Sequence, residues 1–164
     1  MSGSDRIRKV RNMDDLDALL ADARARLDGV AKVRIGVARE PGRIRRAFGA
    51  RPVIAPVADA WHLGVLLVGD ADLWATGSVL RAAEEVRRGY TAESQRERAG
   101  IRGMAFRGGF AEGETFHYDA HVIDADHPGP LVRQDERLMV RWSPAGFLAP
   151  LEAYLDERIE LARG

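Results

Sequence analysis

The segment His117-Tyr118-Asp119-Ala120-His121 sets two imidazoles and a carboxylate at alternate positions. In an extended strand, residues i, i+2 and i+4 leave the same face about 7 Å apart along the backbone, so these three side chains would share one surface. Such a set can converge on Zn²⁺, Fe²⁺ or Mn²⁺, with His62 from a separate apolar run as a fourth member. Acting with or without a metal, His62, His117, Asp119 and His121 are the candidate catalytic residues of a small hydrolase. The competing expectation is that His117, Asp119 and His121 form the solvated side of a strand that buries Phe116, Tyr118, Ala120 and Val122.

A second cluster is Arg87-Arg88-Gly89-Tyr90-Thr91, which runs into a predicted helix. Free N–H groups at a helix start, a glycine permitting close approach and two guanidinium forks suit a phosphate, a carboxylate or an acidic side chain. Arg87, Arg88, Gly89 and Thr91 are therefore the candidate anion-binding residues, unless the arginines pair with Glu84, Glu85 or Glu93 on an exposed turn. Paired glycines at 64 and 77, beside His62, would open a hollow for a ligand or for a closely docked helix. Lys32 to Arg51 holds seven basic residues against one acidic, yet no aromatic platform or helix-turn-helix accompanies them, so nucleic acid is not the expected partner.

Several chemistries are excluded. Without cysteine the chain has no disulfide, thiolate zinc site or cysteine nucleophile. No phosphate-binding Gly-rich loop, His-Glu-x-x-His or Gly-x-Ser-x-Gly is present, and no serine has a lysine three residues on. No motif names a cofactor, and nothing in the pattern selects a monomer over a homo-oligomer. Because 25 Lys and Arg balance 25 Asp and Glu, net charge supplies no long-range attraction to nucleic acid or anionic lipid. No window approaches a membrane span, so a cytoplasmic protein without membrane association is expected.

The elements that must position these residues follow from periodicity. Met13 to Leu27 predicts a helix with Leu16, Leu19, Leu20, Ala23 and Leu27 on one face, ended by Gly29. Val33, Ile35 and Val37 alternate as a strand, and Gly42 to Phe48 predicts a short basic helix. Trp61 to Val68, a turn at Gly69 to Asp72, and Leu73 to Leu80 predict a central hairpin in which Val68 faces Leu73 and Gly64 faces Gly77. Thr91 to Phe106 reads as a helix stopped by Gly108-Gly109, and Thr115 to Ile123 as one strand. A second hairpin turns at Gln134-Asp135-Glu136. A final helix follows Pro150, with Leu151, Tyr154, Leu155 and Ile159 as its buried stripe. Trp61, Trp74 and Trp142 are assigned to the core.

The fold class expected is α+β: a mostly antiparallel sheet of five or six strands with about three helices laid on it. Residues 1–12 are expected as a flexible leader and 13–164 as a single domain.

The stretches Ala60–Val68, Ala75–Gly77, Val86–Ser94, Arg107–Gly113 and Tyr154–Leu161 resemble a group of small bacterial proteins from G+C-rich genomes, some of which carry the automatic name glutaminase. The resemblance implies an α+β domain and, through that name, an amidase-like hydrolase. Serine-dependent glutaminases use a Ser-x-x-Lys pair and glutamine amidotransferases a cysteine, and this chain has neither, so no catalytic residue carries over. Two functions remain: a non-catalytic module binding a small anionic ligand or a protein partner, and the His/Asp-dependent or metal-dependent hydrolase.

Overall fold

The computed structural model describes residues 3–85 and 93–164, with side chains from Asp15 onward. In chain order the elements are α1 (Gly3–Arg26), β1 (Val33–Arg39), α2 (Arg43–Ala47), β2 (Val53–Leu63), β3 (Leu66–Gly69), β4 (Leu73–Ala75) and β5 (Ser78–Arg81). There follow α3 (Glu93–Gly108), β6 (Thr115–Tyr118), β7 (His121–Val122), β8 (Leu131–Gln134), β9 (Arg137–Arg141), β10 (Leu148–Pro150) and α4 (Leu151–Arg163). The class is α+β, and every strand pair but one is antiparallel among the pairings described here. More strands form than the five or six expected, because turns cut the long apolar runs into short pieces. Helix α1 starts at Gly3, so it takes in residues that composition assigns to a leader.

The residues group into two compact units, each assembled from stretches distant in sequence. The first comprises Met1–Ala31, Trp61–Ala75 and Val122–Gly164. Its core joins Leu20 and Ala23 of α1, and Leu27 just past its end, to Leu151, Tyr154, Leu155 and Ile159 of α4, with Trp61, Leu63, Leu66, Val68, Leu73, Leu131 and Val140 from the strands. These are the stripes that helical spacing predicts. The buried end of α1 is tied down where Arg24 Nε donates to the Gly69 carbonyl at 2.8 Å, and Trp61 Nε1 donates to the Val30 carbonyl at 2.9 Å.

The β3–β4 hairpin has the expected register, Val68 opposite Leu73, Leu67 opposite Trp74 and Leu66 opposite Ala75. It stops there. Gly64 has φ +65 in the turn after β2, so the expected pairing of Gly64 with Gly77 does not form. The β8–β9 hairpin turns on Asp135 and Glu136, both at positive φ, as a two-residue turn matched to strand twist demands. Trp142 corrects the sequence reading: it lies past the end of β9, 43% exposed, with its ring 6.1 Å from that of Phe147.

After β7, Asp124 closes a local turn, its Oδ1 accepting the N–H groups of Asp126 at 2.8 Å and His127 at 2.7 Å. Those two backbone donors hold the Asp124 carboxyl below the ordinary carboxylate range. A depressed carboxyl contributes stability that is present above its unfolded pKa and lost as pH falls through the folded one. We expect the Asp124 carboxyl carbon shift, followed by NMR, to turn over below the midpoint of exposed aspartates; an ordinary midpoint would refute the turn.

The second unit comprises Lys32–Ala60 and Thr76–His121. Its strands hydrogen-bond in the order β5-β6-β1-β2, with β1 and β6 parallel. A bulge between Ile35 and Gly36 leaves Val57 without a partner beside Pro56, which has no N–H to donate. Helix α3 covers one face and closes a core of Ile54, Ala82, Ala105, Phe110 and Phe116. Phe110 and Phe116 meet at 4.7 Å between ring centroids, and the missing side chain of Gly36 makes room for Phe110 and Ile54.

Candidate functional site

The predicted His/Asp surface does not form. Strand β6 ends at Tyr118, because Asp119 takes φ +59 and turns the chain before β7 begins at His121. His117 sits in β6 between Val79 of β5 and Ile35 of β1 and is 1% exposed, the reverse of the wet face that alternation predicts. His121 is exposed, with Nδ1 3.2 Å from the Asp119 carbonyl oxygen. His62 belongs to the first unit, where Nε2 lies 2.9 Å from the Gly64 carbonyl oxygen. Among the described residues no group of three or more His, Asp or Glu is arranged to hold a metal ion.

The reason is the backbone at Gly77. A Cβ there would collide with the Tyr118 carbonyl oxygen and the Asp119 carbonyl group. Glycine thus lets the β4–β5 connection press against the end of β6, where the left-handed conformation of Asp119 ends the alternation; aspartate tolerates that region better than most residues. The glycines at 64 and 77 are therefore two separate packing devices. At Gly64 the occupant is the Tyr154 side chain of α4, the closely docked helix of the sequence reading.

What the second unit does present is a cleft of about 630 Å³ between β5 and α3, lined by Ser78, Val79, Leu80, Glu97, Arg98, Ile101, Tyr118 and Asp119. Register explains the lining. Ser78 pairs with Tyr118 and Leu80 with Phe116, so Ser78, Leu80 and Tyr118 share the sheet face that α3 covers. Glu97, Arg98 and Ile101 come from the middle of α3, with Arg98 and Ile101 three residues apart on one side of the helix. The floor is apolar, made of Leu80, Ile101 and the Tyr118 ring; the rim carries two carboxylates and one guanidinium.

Burial first, then the Asp119 and Glu97 carboxylates, push the Tyr118 phenol above its ordinary value. The group stays protonated and can donate to a ligand across the usual pH range. Among the described residues that sequence singled out for chemistry, Asp119 alone lines this cleft. Arg87, Arg88, Gly89 and Thr91 lie outside the described residues. Leu80, Ile101 and Tyr118 were missed because their meeting depends on the non-local pairing of β5 with β6, which no short-range pattern announces.

Comparison of the chain with protein-family models, with curated proteins and with solved structures returns no match.

Proposed function

We propose that this chain is a non-catalytic binding module whose β5–α3 cleft takes a short extended segment of a protein partner. The observation that carries this reading is the position of the cleft along β5, which stands last in the strand order of its unit. An end strand can offer main-chain donors and acceptors to an added strand, while a helix alongside supplies side-chain pockets. Here the pocket floor is Leu80, Ile101 and Tyr118. Arg102 Nε already donates to the Arg81 carbonyl at 2.8 Å, so among the described residues Ser78 to Leu80 is the stretch for an incoming strand.

The rim decides the ligand's charge. Among the described lining residues Glu97 and Asp119 outnumber Arg98, which supports a segment bearing a basic side chain next to an apolar one over a simple anion.

Panning a random peptide display library against the protein, then titrating the selected peptides calorimetrically, tests the proposal. Selected sequences should pair an apolar residue with Lys or Arg. Ile101→Arg should weaken them at least about tenfold, the effect of removing an apolar anchor and adding a like charge. A library that yields no binder, or binders indifferent to Ile101→Arg in a protein with an unchanged melting curve, would remove this function.

A further inference from the structure

Between β1 and β2 the chain carries α2, a five-residue helix with no buried residue. So short a helix is marginal by itself, yet its end is carefully closed. Gly49, at φ +81, donates to the Arg46 carbonyl at 3.0 Å, and Ala50 donates to that of Arg45 at 3.0 Å, the paired bonds of a left-handed helix stop. Built this way, the tip displays Ile44 at 77% exposure and Phe48 at 88%. The two are four residues apart and share one side of the helix, with Arg43 and Arg45 flanking that side and Arg46 behind it. Arg46 is held by Glu40 at 3.4 Å and by the Pro41 carbonyl oxygen.

We propose that this tip docks reversibly on an anionic lipid surface, with Ile44 and Phe48 entering the boundary between headgroups and acyl chains and Arg43 and Arg45 meeting lipid phosphates. An apolar wedge flanked by guanidinium groups is what an interfacial helix requires, and such binding needs no shaped receptor. Ile44 favours lipid over nucleic acid: an aliphatic side chain 77% exposed has no ring to stack on a base, but it gains by entering an acyl layer. No helix among the described residues is long and apolar enough to cross a membrane, and surface docking asks for none.

The test is co-sedimentation of the full chain with vesicles of phosphatidylcholine alone and of phosphatidylcholine mixed with phosphatidylglycerol, over a salt series. Binding should be confined to the anionic vesicles, weaken with salt, and fall at least about tenfold both in Ile44→Ser/Phe48→Ser and in Arg43→Gln/Arg45→Gln. Because α2 buries nothing, all variants should keep the parent circular dichroism and melting curve. The proposal fails if the parent ignores phosphatidylglycerol, or if either double variant binds as the parent does. It fails equally if the protein pellets without vesicles in a Phe48-dependent way, which would make the partner a second copy, or if Phe48 serves an oligonucleotide in preference to lipid.

Discussion

A Gly108→Ala variant is expected to lose about 3 kcal/mol of stability, the upper part of the range for an overpacked site. Gly108 closes α3 against β2, and a Cβ there would collide with the Ile54 carbonyl oxygen, lie 2.5 Å from its carbonyl carbon and 3.2 Å from the Ala55 nitrogen. These are backbone atoms of a central strand pair and cannot swing aside as a flexible side chain would. The helix must back away, and Ala105, Phe110 and Phe116 then lose contact. Gly100 in the same helix is the control, since no described residue outside the helix's own backbone lies within 4 Å of a Cβ built on it. Gly100→Ala should stabilise by up to about 1 kcal/mol through helix propensity. Thermal or urea unfolding of the two single variants decides; a Gly108→Ala protein as stable as the Gly100→Ala one would show that α3 does not seat on β2 as described.

Tyr154→Phe is expected to cost about 2–4 kcal/mol, because one hydroxyl serves two backbone groups at the turn after β2. It donates to the Leu63 carbonyl at 3.0 Å and accepts the Val65 N–H at 2.9 Å. Phenylalanine fills the same volume and leaves both groups without that partner. Gly64→Ala strikes the same atom from the other side, since its Cβ would collide with the Tyr154 hydroxyl, and φ +65 adds backbone strain. The two losses should not add: in the Tyr154→Phe background the further cost of Gly64→Ala should shrink toward the strain alone, about 1 kcal/mol. Additive losses in a double-mutant cycle would mean that the hydroxyl and the glycine do not share this space.

Much of the first unit was legible in the sequence because its elements are written in local periodicity. Leu16 to Leu27 and Leu151 to Ile159 carry the helical stripe, and Gly69 to Asp72 the turn that sets the β3–β4 register. The site was legible far less. Alternation from Thr115 to Ile123 predicts one strand with a wet histidine face, and two non-local facts override it. Strand β6 lies inside the sheet between β5 and β1, and there His117 is 1% exposed while its cross-strand partner Val79 is 52% exposed, so burial on that face is set position by position by what packs there and not by alternation along one strand. Gly77 then admits a neighbouring backbone that cuts the strand at Asp119. The apolar run puts Gly64 in a strand, whereas its positive φ serves the turn after β2. Trp142 misled for a related reason: aromatic type argues for burial, but position at a strand end decides it.

The discontinuous makeup of the first unit has a consequence during synthesis. A nascent chain that has left the ribosome as far as Ala75 already bears the apolar stripe of α1 and the β3–β4 hairpin, but the α4 residues that cover them, Leu151 to Ile159, lie far downstream and have yet to emerge. Leu20, Ala23 and Leu27 must wait, exposed, until Leu151 to Ile159 emerge. At the usual pace of translation, about 5–20 residues per second, that interval lasts seconds, long against the microseconds in which a helix forms. Ribosome-bound fragments ending before Val122 should therefore engage holdase chaperones, and release should coincide with the appearance of the last helix.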